Sequence, residues 1–68
     1  MKIKAKKSFA KLRVKKGLSI NQLAKLMEVN QSVVSKMERG LTIRPATARK
    51  ACIALNESFE TLFVIEEK

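Results

Sequence analysis

The sequence predicts a small all-α domain built from five short helices. The length of 68 residues matches one small domain, and apolar residues recur mainly at helical spacing. Residues that start and stop helices also follow one another at short intervals. The composition, 46% hydrophobic and 31% charged, is typical of a globular chain. We therefore expect one compact domain over residues 1–68.

The first helix is predicted over residues 8–16. Phe9 and Leu12 lie three positions apart, so both can face a core from the same side of this helix. Gly17 is suited to end it, because glycine adopts the left-handed conformation of a helix C-terminus without steric cost.

Two capped helices with a short turn between them are predicted from Ser19 to Gly40. Ser19 and Gln22 form the S-x-x-Q capping box, which begins the second helix. Asn30 is a favourable N-cap for the third helix, and Gly40 is suited to end that helix. The turn over 28–30 is therefore about three residues long, and such a short turn makes the two helices cross at a steep angle.

Two more helices are predicted in the last third of the chain. Pro45 suits a first helical position, and the alanine-rich stretch 46–55 that follows favours helix. Asn56 can end this fourth helix, and Ser58 can cap a short fifth one. The apolar residues of the fifth helix are Phe59, Leu62 and Phe63.

The two ends of the chain are candidates for a two-stranded β ribbon. Residues 1–6 alternate between basic and apolar side chains, whereas residues 63–67 are apolar and then acidic. The pairing we expect brings Lys2 or Lys4 close to Glu66 or Glu67. Such a ribbon also offers a dimer surface, for which the candidates are Phe59 and Val64.

The charge is strongly positive and unevenly distributed. The formal net charge is +9, and the sequence pI is about 10.2. Residues 1–16 carry eight basic and no acidic side chains, whereas residues 51–68 carry one basic and four acidic ones. This balance favours a polyanionic partner, with nucleic acid ahead of an anionic membrane surface.

The residue inventory argues against an enzyme, a metal site or a cofactor. The chain has no histidine and one cysteine, Cys52, which we expect to be small core filler. No glycine-rich phosphate loop and no nucleophile beside a base is present. No apolar stretch reaches the length of a membrane span or follows the N-terminus as a signal peptide does, so we expect a cytoplasmic protein.

The third helix has a polar outer face suited to DNA. Its inner side and the second helix share apolar residues that hold the pair together, and Ala24 permits their close approach. Amide, hydroxyl and cationic side chains on the outer face are the groups that read base edges in the major groove. The candidate base-reading residues are Gln31, Ser32, Ser35 and Lys36.

The stretch L-R-V-K-K-G-L-S-I-N-Q-L-A-K-L-M-E-V-N-Q-S-V-V-S-K-M-E-R-G resembles the phage repressor and Cro-type helix-turn-helix family. The later segments R-P-A-T-A-R-K and S-F-E-T-L-F are similar to that family's fourth and fifth helices. The resemblance covers residues 8–63 and implies a five-helix, lambda-repressor-like DNA-binding domain. It also implies base contacts by Gln31, Ser32 and Lys36, and a structural ion pair between Arg13 and Glu38.

Phosphate contacts are expected at both edges of the helix-turn-helix unit. The backbone amides around Ser19 and Asn21 begin a helix, and free amides there attract anions. Arg44 is a poor N-cap, so the amides of the next helix are also available to a phosphate. Thr42 and Arg39 complete the set of candidates.

Two positions depart from the family pattern. Glu28 stands where the family more often has glycine, and a left-handed conformation there costs about 1–2 kcal/mol. Ile20 stands where a glutamine often helps to hold phosphate, so that side-chain contact is expected to be missing.

Two functions are compatible with these residues. The first is a sequence-specific transcription regulator, a repressor, which binds double-stranded DNA as a homodimer on an inverted repeat. The second is an antitoxin-like protein-interaction module that uses its apolar and acidic C-terminal segment as the contact surface. In either case we expect control by protein concentration or by a second protein acting as antagonist or co-regulator.

Overall fold

The computed structural model describes residues 1–67, which form five helices and a two-stranded sheet. In chain order the elements are β1 (Lys2–Ala5), α1 (Ser8–Lys15), α2 (Ile20–Met27), α3 (Gln31–Glu38), α4 (Pro45–Leu55), α5 (Phe59–Leu62) and β2 (Phe63–Glu66). The predicted five-helix fold and the terminal ribbon are both confirmed.

The helix-turn-helix unit begins each of its helices on a side-chain cap. The Ser19 hydroxyl accepts the Gln22 amide at 3.1 Å, and the Gln22 side chain accepts the Ser19 amide at 2.8 Å, which completes the capping box. Asn30 Oδ1 accepts the Ser32 amide at 3.0 Å and thereby caps α3. These caps determine which side chains of α2 and α3 face outward.

The turn between α2 and α3 passes through a left-handed residue. Glu28 has φ 59° and ψ 43°, which L side chains other than Asn and Asp seldom adopt. This conformation lets the Val29 amide donate to the Ala24 carbonyl at 3.0 Å, which closes the helix end. Ala24 itself is buried at the contact between α2 and α3.

The ribbon is antiparallel and joins the two ends of the described chain. Lys2 lies opposite Glu66 in the register, and Lys4 Nζ lies 3.2 Å from Glu66 Oε1. On its other side β1 meets the loop before α4, because the Ile43 amide donates to the Ile3 carbonyl at 2.9 Å. β1 therefore has neighbours on both edges, whereas the sheet ends at β2.

The core lies between the helices and the inner face of the ribbon. Phe9 and Phe63 are almost completely buried, with ring centroids 5.8 Å apart. The remaining buried side chains come from β1 and from helices α2 to α5: Ile3, Leu23, Ala24, Met27, Val34, Met37, Ala48, Ala51, Leu55 and Leu62. Within the described residues no helix is long and apolar enough to cross a membrane.

Two expectations about the core need correction. Phe63 belongs to β2 rather than to the fifth helix, because the chain becomes extended there, with φ −131° and ψ 163°. Leu12, as expected, faces the core together with Phe9, although it is half-buried and Phe9 is fully buried. Cys52 is likewise half-buried beside the core and is not one of its interior residues.

Candidate nucleic-acid interface

The outer face of α3 presents the predicted base-reading side chains. Gln31, Ser32 and Lys36 are exposed, and Ser35 is half-buried. The opposite side of the helix is anchored, because Val34 and Met37 are fully buried. Helix α3 is therefore held firmly by its apolar side while its polar side stays open to a partner.

A shallow depression lies where the start of α2 meets α3, and we call it the α2–α3 hollow. It brings two of the predicted phosphate residues next to two of the predicted reading residues. Its lining residues are Arg13, Ser19, Ile20, Asn21, Gln31 and Ser35.

The first turn of α2 adds backbone donors beside this hollow. The capping box occupies the amides of Ser19 and Gln22, and the first intrahelical bond is made by the Leu23 amide. The amides of Ile20 and Asn21 precede that bond, so the helix itself cannot supply their acceptors. Together with the helix dipole they form a favourable place for a phosphate oxygen.

A second depression lies on the other side of α3, and we call it the α3–α4 hollow. Here Lys36 from α3 meets Thr42 and Arg44 from the loop before α4. The full lining is Val33, Lys36, Thr42, Ile43, Arg44 and Thr47. No side chain caps the start of α4, and Pro45 has no amide hydrogen, so the amides of Ala46 and Thr47 are without helical acceptors.

Two predicted residues lie outside both hollows. Ser32 is exposed in the first turn of α3, and its amide is used by the Asn30 cap. Arg39 is exposed at the C-terminal end of α3. Their positions leave both side chains accessible but do not bring them together with the other candidates.

Arg13 and Glu38 form a bidentate ion pair that joins α1 to the C-terminal end of α3. Arg13 Nε lies 2.5 Å from Glu38 Oε2, and a second guanidinium nitrogen donates to Oε1 at 3.3 Å. The third nitrogen donates to the Leu18 carbonyl at 2.6 Å, one residue before the Ser19 cap. The same guanidinium therefore fixes the end of α3 and the start of α2 relative to each other.

The electrostatics of both hollows favour an anion. None of the lining residues of either hollow is acidic. In the α2–α3 hollow the cationic residue is Arg13, whose charge is paired with Glu38, so the attraction for an anion there comes from the amides at the start of α2. In the α3–α4 hollow Lys36 and Arg44 are cationic, and neither takes part in the ion pairs of the described residues.

The dimer candidates Phe59 and Val64 lie together at the other end of the molecule. They line a shallow depression with Lys6, Glu60, Phe63 and Ile65. Phe59 is half-buried against Phe63, with ring centroids 5.4 Å apart, and Val64 is 43% exposed.

Three residues that line the hollows beside α3 were not among those predicted from the sequence. Thr47 lies in the first turn of α4, two residues after Pro45, which is a signal that could have identified it. Val33 and Ile43 were missed because their place in the hollow depends on how the loop before α4 packs.

A comparison with protein families finds a helix-turn-helix model that matches residues 9–62. The match includes both hollows and nearly all of the fold. The chain belongs to this helix-turn-helix family. A comparison with curated proteins finds no match.

The family is of the XRE type, which includes the Cro-like proteins, so the resemblance drawn from the sequence is confirmed. It is a family of DNA-binding regulatory domains and not a family of enzymes. Membership of the helix-turn-helix family makes double-stranded DNA the partner of this domain.

Proposed function

We propose that residues 1–68 act as one sequence-specific DNA-binding domain, with the reading unit at 19–40 and α3 inserted in the major groove. The observation that carries this proposal is that α3 lies between two hollows without acidic lining residues, each beside helix-start amides without helical acceptors. A helix that enters the major groove needs such contacts on both sides, because a phosphate backbone borders the groove at each edge.

Within this arrangement each predicted residue has a distinct role. Gln31, Ser35 and Lys36 read bases, together with Ser32 at the start of α3. The Gln31 amide suits the donor and acceptor of adenine, and a serine hydroxyl suits either a donor or an acceptor. The Lys36 ammonium suits the two acceptors of guanine. Phosphates are held by the amides near Ser19 and Asn21, by Thr42 and Arg44 on the opposite side, and by Arg39 at the C-terminal end of α3.

We further propose a homodimeric repressor that binds an inverted repeat. One reading helix contacts few base pairs, so specificity requires two half-sites about one helical turn apart. The free outer edge of β2 supports the ribbon as the dimer surface, since Val64 and Ile65 are each more than two-fifths exposed there. Bound dimers that overlap a promoter would block transcription.

The decisive experiment is selection of bound sequences from random duplex DNA, followed by affinity measurements on the selected site. We expect an inverted repeat, and we expect Lys36→Ala to lose about 1–3 kcal/mol on that site with little change on scrambled DNA. Arg44→Ala should weaken binding to the selected site and to scrambled DNA by similar amounts. It should also lower the slope of log K against log salt by about one.

Arg49→Ala is the matched control for Arg44→Ala. Arg49 lies in α4, five residues after Arg44, and carries the same charge, but it lines an apolar depression beside the ribbon rather than the α3–α4 hollow. If Arg49→Ala lowers affinity as much as Arg44→Ala does, the α3–α4 hollow is not the phosphate site. If no sequence is enriched over the random pool, base reading by this domain is wrong.

A second candidate function is an antitoxin-like protein-interaction module. The observation that favours it is the apolar depression formed by the ribbon, α4 and α5, whose lining includes Met1, Pro45, Phe59 and Ile65. Purification of a stoichiometric protein partner together with loss of any DNA affinity would support this function over the first.

A further inference from the structure

Ile20 places an apolar side chain among the polar groups of the α2–α3 hollow. Its neighbours in the lining include the amides of Asn21 and Gln31 and the hydroxyls of Ser19 and Ser35. Ile20 has no donor, acceptor or charge, so it cannot contribute to phosphate binding through its side chain. The part of its side chain that stays exposed is therefore suited to an apolar group of the DNA rather than to a phosphate.

The position of Ile20 is well defined. It is the first residue of α2 and follows the Ser19 capping box directly, so its backbone is fixed. Its side chain is half-buried, and part of it packs against the core. The remaining surface is exposed within the hollow, where it forms a rigid apolar wall beside Gln31.

We propose that Ile20 contacts the C5-methyl group of a thymine and thereby selects an A·T pair at one position of each half-site. This inference rests on the proposed function. The thymine methyl is the apolar group that base pairs present in the major groove, and the adenine of the same pair presents the edge that a glutamine amide reads. Ile20 and Gln31 line one hollow, which supports placing the two contacts in the same part of the half-site.

The contact has a defined size. Burial of one methyl group against an aliphatic side chain changes an affinity about four-fold. Removal of the C5-methyl group should therefore lower the affinity at one thymine in each half-site. The same removal should have no effect when the Ile20 side chain is replaced by alanine.

The test replaces each thymine of the selected site in turn by deoxyuridine, which lacks only the C5-methyl group. Dissociation constants are measured at fixed salt for the wild-type chain, for Ile20→Ala and for Leu26→Ala. Leu26 is the matched control, because it is an aliphatic residue of the same helix that is 57% exposed and lies outside the hollow. Each protein is compared on thymine and uracil DNA, so a change in folding stability cancels.

We expect one thymine per half-site at which uracil weakens binding about four-fold for the wild type and for Leu26→Ala, but not for Ile20→Ala. A selected half-site without such a thymine, or a uracil effect that persists in Ile20→Ala, overturns the inference about Ile20 while leaving the proposed function intact. Failure to select any sequence overturns both.

Discussion

Arg13 Nε lies 2.5 Å from Glu38 Oε2, and this contact joins the first helix to the C-terminal end of the helix proposed to read DNA. The two side chains are only 12% and 13% exposed. A carboxylate at a helix C-terminus is opposed by the helix dipole, so Glu38 depends on the guanidinium for its stability there. The orientation of α3 therefore depends on a residue in α1.

We expect Arg13→Ala to destabilise the fold by about 2–3 kcal/mol, between the values for exposed and fully buried pairs. The substitution leaves Glu38 nearly enclosed without its partner and removes the donor to the Leu18 carbonyl. The free energy of unfolding of Arg13→Lys should lie between those of the wild type and Arg13→Ala, because an ammonium group cannot make the bidentate contact. Urea unfolding at pH 7 measures all three free energies.

The ion pair between Lys16 and Glu57 provides the control for this measurement. Its atoms lie 3.1 Å apart, but its side chains are 37% and 25% exposed. Lys16→Ala should therefore cost less than about 1 kcal/mol. If Arg13→Ala and Lys16→Ala lower the free energy of unfolding equally, the greater burial of the Arg13–Glu38 pair does not make it more important for stability.

Glu28 is the residue where glycine should stabilise the protein. Its φ of 59° is strained for a glutamate, and it is exposed. Glycine relieves this strain, but its greater freedom in the unfolded chain offsets part of the gain. We therefore expect Glu28→Gly to raise the free energy of unfolding by about 0.5–1 kcal/mol. The midpoint of urea unfolding should rise with an unchanged slope.

Asn56→Gly is the matched control, because Asn56 ends α4 with a similar φ of 55°. Asparagine tolerates this conformation better than glutamate, so the gain at Asn56 should be smaller. A loss of stability in Glu28→Gly, or a gain at Asn56 of the same size, would contradict the assignment of strain to the glutamate side chain.

The parts of the fold that follow from local chemistry were predictable from the sequence. The caps at Ser19 and Asn30 and the left-handed residue Asn56 depend on a few neighbouring residues, and each was expected where it occurs. For Glu28 the sequence indicated only the cost of a left-handed conformation, through the family's preference for glycine at that position. The pairing of the two ends was also expected, because alternation and opposite charge are visible in the sequence.

The composition of the two hollows was not predictable in the same way. Lys36 meets Arg44 because the intervening loop is fixed by the bond from the Ile43 amide to the Ile3 carbonyl. That bond joins the loop to the N-terminal strand, and no local pattern indicates it. The same holds for Ile20, whose place beside Gln31 depends on how α2 packs across α3.

Cys52 is expected to be a slowly reacting thiol with a pH dependence set by its neighbours. Partial burial raises the pKa of this thiol above its ordinary value, and the Glu60 carboxylate raises it further. The folded chain therefore holds the proton more tightly than the unfolded chain, so the pKa difference costs no stability below the pKa of the unfolded thiol and lowers stability as the pH rises beyond it. Alkylation by iodoacetamide should be slower in the native chain than in urea at every pH below the folded pKa.

Glu60→Gln removes the negative charge that opposes the thiolate, so it should lower the pKa of Cys52 and speed alkylation near pH 9. Glu67→Gln removes the same charge from a residue that is not among the causes of the shift, so its rate profile should match that of the wild type. The rates are measured by mass spectrometry over pH 7–10. A profile that Glu60→Gln leaves unchanged would show that burial alone controls the thiol.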